Sequence, residues 1–295
     1  MTNPEQKQIF HRILAVGADG KFAGLVIPEL ARRGANVRGL LRRPDHADQV
    51  RQNGASEIAI GDLNDPVSLQ AALRGVDAVF YVAPAFLMGE AELGVRFVEI
   101  AKQSGVRRFV FSSVIHPILN ALSNHQAKQP LEEAILSSNM EFTFLHPAVF
   151  FQNLTNVWPR VVESGVLAEP WSSETRFSRV DYRDVAKVAA LALTEDLLVY
   201  GTFELCSDGR LNRHDVAALM SDALDWEIKA EKLDPTTLGN EGPLAAMKPM
   251  FEWYDHHSLN GNPLILRSIL GHEPRTLKDF ISELAANGPV ELRKG

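Results

Sequence analysis

The chain has 295 residues, of which 45% are hydrophobic, enough for a sizeable core in one large domain or two modest ones. Its formal net charge is -7 and it has no long basic run, which argues against a broad nucleic-acid-binding face. No apolar run approaches the roughly 20 residues of a bilayer span, and the polar start MTNPEQKQIFHR lacks the apolar stretch of a signal peptide. Cys206 is the only cysteine, so no internal disulfide is expected and the composition suits the cytoplasm.

The first apolar run, Ile13 to Val16, reads as a parallel strand buried on both faces. A helix is expected over Lys21 to Arg33, closed by Gly34 and loosened by Pro28, whose ring removes a backbone donor. ANVRGLLRRP and EIAIGDL read as the second and third strands. DPVSLQAAL opens a helix with Asp65 as N-cap and Pro66 at the first helical position. VDAVFYVAP reads as a strand, EAELGVRFVEIAKQSG as a helix stopped at Gly105, RRFVFSSV as a strand, QPLEEAILSS as a helix and EFTFLHPAV as a sixth strand. Strand alternating with helix over short connections predicts an α/β fold, a doubly wound parallel sheet of Rossmann type.

After Phe150 the rhythm changes. FFQNLTNVWPRVVESGVLAEPWSS is aromatic-rich and irregular, and VDYRDVAKVAALAL returns to a helix with Asp184 near its start. GTFELCS reads as a strand. NRHDVAALMSDAL and TLKDFISELA read as helices, capped by Asn212 with Asp215 and by Thr276 with Asp279. The expected organisation is a dinucleotide-binding domain over 9–150, completed by about 176–206, and a smaller, mostly helical lobe formed by 151–175 and 207–295.

The stretch AVGADGKFAG joins the first strand to the first helix. Gly17 and Gly20 are spaced G-x-x-G, followed by Ala23 and Gly24. Backbone amides and a helix N-terminus at this place suit a pyrophosphate, and a plain turn would also use such glycines. The second strand ends in Arg42 and Arg43, where a site for NAD(H) carries an acidic residue. Guanidinium groups there suit a 2′-phosphate and so NADP(H) over NAD(H), unless both are simply solvated.

VGADGKFAG, VRGLLRRP, GDLNDPVSLQAALRGVDAVFYVAP, SGVRRFVFSSV, KQPLEEAIL and GHEPRTLKDFISE stand in order along nearly the whole chain. Together they resemble the NmrA-like family of atypical short-chain dehydrogenases/reductases, which includes NAD(P)H-dependent quinone and dye reductases and regulators that bind the dinucleotide without reducing anything. The resemblance implies a loop of Gly17, Asp19, Gly20, Lys21 and Phe22 over the pyrophosphate, with Arg42 at the adenosine phosphate and Asp62 and Leu63 flanking the adenine. It implies Ala83 and Pro84 beside the cofactor ribose, Ser112 and Ser113 facing the nicotinamide half, and Lys128 holding the nicotinamide ribose. Pro147, Val149 and Phe150 would line the nicotinamide pocket, with Asn153 nearby. Three positions depart from the pattern: Asp19 replaces a small hydroxyl residue, His146 stands where arginine is common, and Ala23 replaces the third glycine.

Conventional short-chain dehydrogenases use Tyr-x-x-x-Lys, the tyrosine donating a proton. Asn124 stands four residues before Lys128, and none of the four tyrosines (81, 182, 200 and 254) has a lysine four residues later. Electrophilic acceptors such as quinones need mainly orientation and a dry pocket. His116, His125 and Lys128 are candidate proton donors, and each histidine also reads as an exposed loop residue. His256 and His257 are adjacent, about 100° apart on a helix, and have no Cys or His partner nearby, so no metal site is expected. Phe150, Phe151, Trp158 and Trp171 read either as a substrate pocket or as inter-lobe core; Trp253 and Tyr254 fall on a helix of the small lobe and are expected to cover the cleft, with Phe151, Asn153, Trp158 and Trp253 as the substrate-binding candidates. Ser112–Ser113 lacks a Gly-x-Ser-x-Gly elbow, which argues against a hydrolase. The leading expectation is an NADPH-dependent reductase of a small conjugated acceptor held between the lobes. The alternative is a non-catalytic NADP(H) sensor with a protein partner; a homodimer suits either.

Overall fold

The computed structural model describes residues 12–84, 87, 89–238 and 242–287. The polar stretch before Arg12 and residues 288–295 of the expected small lobe lie outside the described residues.

In chain order, β1 (Ile13–Val16) is buried at every position, as an apolar run without alternation requires. α1 (Ala23–Arg32) begins two residues later than expected, because Gly17 to Phe22 are drawn into a tight turn first. Pro28 stays inside it and gives up one backbone bond. β2 (Val37–Leu41) is followed by α2 (Ala47–Gln52), a helix absent from the sequence reading; it buries only Val50 and so shows no apolar periodicity. After β3 (Glu57–Ile60), α3 (Pro66–Ala72) starts as expected, with the Asp65 carboxylate accepting from Val67 N. Next come β4 (Ala78–Val82), α4 (Glu90–Gln103), β5 (Arg108–Ser112), α5 (Ser123–Gln126), α6 (Gln129–Leu136) and β6 (Glu141–Pro147).

The irregular aromatic segment is in fact ordered. β7 (Val149–Phe150) leads into α7 (Leu154–Ser164), a helix that accommodates Pro159 and buries Leu154, Trp158 and Val161 at helical spacing. Then follow β8 (Val166–Glu169), β9 (Phe177–Val180), α8 (Tyr182–Thr194), β10 (Gly201–Leu205) and β11 (Arg210–Leu211). α9 (Arg213–Leu224) carries the full capping box of Asn212 and Asp215. β12 (Lys229–Lys232), α10 (Gly242–His256), α11 (Leu264–Leu270) and α12 (Leu277–Asn287) complete the chain, and Thr276 Oγ1 accepts from Asp279 N at 3.1 Å ahead of α12.

The described residues divide into two compact units. One takes residues up to 120 with 124–146 and 185–203; the other takes 121–123, 147–184 and those from 204 onward. In the first, a seven-stranded sheet runs β10-β6-β5-β4-β1-β2-β3, parallel from β6 through β3. The strand order reverses between β1 and β4, the switch point beyond whose carboxyl ends open α/β sheets bind ligands. Its core stacks Tyr81 on Phe97 at 5.1 Å, with Phe109 and Phe111 beside them. Arg108 is fully buried because it is fully satisfied: it donates to Glu141 at 2.8 Å, to Asp196 at 2.5 Å and to the Ala192 carbonyl at 3.1 Å.

The second unit has a three-stranded sheet, β11-β9-β7, and the parallel pair β12-β8. Its core gathers Phe151, Leu154, Trp158, Met220, Phe280 and Ile281. Asp181 is buried and accepts from Gln152 Nε2 at 2.7 Å and Arg183 N at 2.8 Å, while Asp184 accepts from Arg275 N at 2.7 Å. These two carboxylates explain the spacing of VDYRD: they fix the entry to α8 and tie a later loop to it. Among the described residues no helix is long and apolar enough to cross a membrane.

Candidate active site

The loop after β1 is built around two glycines. Gly17 has φ +68, a left-handed conformation that glycine adopts without strain. Gly20 N–H donates to the Gly17 carbonyl at 2.8 Å, and a Cβ on Gly20 would stand 2.9 Å from that oxygen. The turn is therefore closed against side chains on its inner side. Phe22 precedes α1 and makes no side-chain cap, and an anion is favoured at such a helix start. Asp19 does not cap the helix; its Oδ2 lies 3.2 Å from His46 Nδ1, past the end of β2. The Asp19 carboxylate thus has a partner beyond the end of β2 and does not bond the first turn of α1. Lys21, Arg42 and Arg43 are exposed around this corner. The closed glycine turn, the open helix start and the exposed guanidiniums fit the phosphates of a dinucleotide.

The other strand ends fall along the same edge of the sheet. Asp62 follows β3 and accepts from Asn64 N at 2.8 Å, and the Leu63 carbonyl accepts from Arg96 at 2.9 Å. Ala83, buried, and Pro84, half-buried, follow β4. Ser112 ends β5 and is buried; Ser113 Oγ donates to Glu132 Oε1 at 2.5 Å, and His146 Nε2 lies 3.0 Å from the same oxygen. His146 thus keeps a polar bridge from β6 to α6 where an arginine would have made an ion pair.

Lys128 is buried, and its Nζ pairs with the equally buried Glu90 at the start of α4 and donates to the Asn124 carbonyl at 3.1 Å. An ammonium has three donors, so one remains. Glu90 was not legible as a partner, since an acidic residue opening a helix is ordinary. Burial raises the Tyr81 hydroxyl well above its usual range, and the Glu90 charge adds to this, so it stays protonated. His125 is buried and held neutral: burial pushes its imidazole down to about 4, while its Nδ1 lies 3.2 Å from the His116 carbonyl. It is therefore no acid near pH 7, which removes one of the three candidate proton donors. His116 is half-buried with φ 50, a left-handed backbone unusual for a residue with a side chain.

The remaining expected residues belong to the second unit. Pro147 ends β6, and Val149 and Phe150 pair in register with Arg179 and Val180 of β9. Phe150 meets Tyr182 edge-on at 4.9 Å. Phe151 and Trp158 lie within the core of this unit, where Phe151 packs on Phe280 at 5.7 Å. Asn153 is exposed, and Trp253 is half-buried against His257 at 4.7 Å. His256 and His257 are exposed, and no group of three or more metal-binding side chains is found among the described residues.

Comparison with known proteins shows the family and the fold. The profile described as the NmrA-like family matches residues 10–287. An NAD(P)H azoreductase of Xenophilus azovorans is 29% identical over 287 residues, covering 93% of this chain and 98% of that one. Among solved structures, the Citrobacter sp. triphenylmethane reductase complexed with NADP(H) superposes with a TM-score of 0.82 at 21% identity, covering 92% of this chain and 99% of the other. The NADPH-dependent quinone oxidoreductase of Escherichia coli, complexed with NADPH, gives 0.80 at 20% identity over the same shares.

Proposed function

This chain belongs to the NmrA-like family, and we propose that it is an NADPH-dependent reductase of a quinone-like or dye-like acceptor. The observation that carries the reading is the closed Gly17–Gly20 turn beneath the open start of α1, with Arg42 exposed at the end of β2. The similarity to proteins named for azo and quinone reduction supports the class of acceptor.

In this reading Gly17, Asp19, Gly20, Lys21 and Phe22 follow the pyrophosphate. Arg42 meets the 2′-phosphate and gives the preference for NADP(H) over NAD(H). Asp62 and Leu63 flank the adenine, and Ala83 and Pro84 border the ribose. Lys128, fixed by Glu90 and Asn124, offers its third N–H to the nicotinamide ribose. Ser112 borders the nicotinamide; within the second unit Asn153 and Trp253 retain surface. Phe151 and Trp158 act through the packing of their own unit. When bound, a reduced nicotinamide supplies a hydride, and the acceptor takes one further proton to complete a two-electron reduction. His116 or water delivers that proton, since His125 is neutral.

The test is an equilibrium titration of the full chain with NADPH and NADH, followed by a panel of quinones and azo dyes. Tight NADPH binding with acceptor-dependent oxidation is the expected result. Tight binding without turnover on any acceptor would replace the reductase by a dinucleotide sensor, and absence of binding would reduce the glycine loop to a turn.

A further inference from the structure

The second unit holds two buried arginines whose surroundings differ sharply. Arg213 has every nitrogen engaged: Nε lies 3.3 Å from Glu169 Oε2, and the terminal nitrogens donate to the Glu231 carbonyl at 2.8 Å and the Trp171 carbonyl at 2.7 Å. Arg179 on β9 is only 6% exposed, yet its Nε is buried without an acceptor, and no carboxylate among the described residues stands within ion-pair distance of it. Glu169, the carboxylate whose charge reaches it, is already committed to Arg213 at 3.3 Å. Burial lowers the Arg179 guanidinium from its ordinary value, the Glu169 charge opposing this and Arg213 reinforcing it. A buried, uncompensated cation is costly, and proteins retain one where something else completes it.

The surroundings indicate what completes it. Phe177 lies two residues earlier on β9, so both side chains project from the same face of the strand, and the guanidinium sits 5.6 Å from that ring. Phe177 in turn meets Tyr254 at 5.0 Å and Trp171 at 6.0 Å, forming an aromatic wall beside the charge. Val149 of β7 pairs with Arg179 in register. Ser207, whose N–H donates to the Arg179 carbonyl at 2.8 Å, carries a further buried hydroxyl oxygen without a partner.

We propose that Arg179 is the anchoring cation for an anionic group on an aromatic acceptor, a carboxylate in the simplest case, with the ring of the acceptor beside the half-buried Trp171. This rests on the reductase reading for the word acceptor, and it narrows the substrate class to conjugated compounds that carry an acid. A guanidinium receives a carboxylate through two parallel N–H donors, a geometry that a neutral amide of the same shape cannot match in charge.

The experiment compares anthraquinone-2-carboxylate with anthraquinone-2-carboxamide, binding being read from quenching of tryptophan fluorescence in the full chain, with and without NADP+. The carboxylate is expected to bind about tenfold or more tighter than the amide. Arg179→Met should abolish that preference, Arg179→Lys should keep part of it, and NADPH affinity should stay within about twofold in both. Arg179→Met should also melt no lower than the parent, because it removes an unpaired buried charge and keeps the apolar volume. Equal binding of the two probes by the parent would overturn the proposal, as would an unchanged preference in Arg179→Met. A loss of NADPH affinity in Arg179→Met equal to the loss of probe affinity would make Arg179 a cofactor residue and also overturn it. Arg179-dependent carboxylate binding without reduction of any quinone would leave this inference standing and remove the reductase reading alone.

Discussion

The buried pair of Lys128 and Glu90 allows the most quantitative prediction. Both residues are 5% exposed, and each is the other's charge partner. Removing one member leaves an ion without compensation in a low-dielectric setting, which costs about 3 to 5 kcal/mol. At about 2 °C per kcal/mol for a large chain, Lys128→Met or Glu90→Gln alone should lower Tm by about 6 to 10 °C. The double variant removes both charges together, so it should lose much less than the sum of the singles, with a coupling of about 2 kcal/mol or more. Thermal and urea melts of the four proteins in one buffer measure this cycle. Additive losses, with coupling near zero, would show that the two charges do not sustain each other and would refute the reasoning. The cycle also separates roles. If Lys128 holds a ribose as well as a charge, the double variant recovers stability and still loses NADPH affinity.

Three further outcomes follow from the same structure. Gly20→Ala places a Cβ 2.9 Å from the Gly17 carbonyl oxygen and must open the turn, so NADPH affinity should fall by about tenfold or more while the far-UV spectrum is unchanged; undiminished affinity would remove the loop from the site. Arg42→Ala should weaken NADPH by about 10-fold to 100-fold and leave NADH nearly unaffected, as calorimetric titration of both would show. His125 has a folded value of about 4, below its ordinary one, so the unfolded chain binds the extra proton first. Its contribution is therefore complete above about pH 6.5 and declines toward pH 4 by up to about 1.4 kcal/mol per unit. The urea midpoint of the parent should fall more steeply over that window than that of His125→Gln.

The parallel sheet was legible because its strands are apolar without alternation and its helices carry ordinary punctuation. Asp65–Pro66, Asn212 with Asp215, and Thr276 with Asp279 open helices where their chemistry says they should. α2 was not legible, since burying a single valine leaves no stripe, and α7 was obscured by Pro159 within it. The same division runs through the site. Glycines and arginines next to strand ends carry their meaning in sequence position, so the phosphate corner could be read directly. Partnerships across long separations could not: Lys128 with Glu90, Asp19 with His46, and Glu132 with both Ser113 and His146 depend on which helix packs beside which strand. Arg179 lay further out of reach. An arginine in FSRVD alternates like any half-exposed strand residue, and only the fold shows it buried with the neighbouring Glu169 already taken.

The central claim is that this chain uses NADPH to reduce a conjugated acceptor, and the most direct measurement is the loss of reduced-nicotinamide absorbance when a naphthoquinone is added to the full chain with NADPH. The account predicts oxidation in proportion to quinone consumed, one NADPH for each two-electron reduction, faster with NADPH than with NADH and slowed at limiting NADPH by Gly20→Ala. Saturable NADPH binding with no acceptor-dependent oxidation across quinones and azo dyes would contradict it.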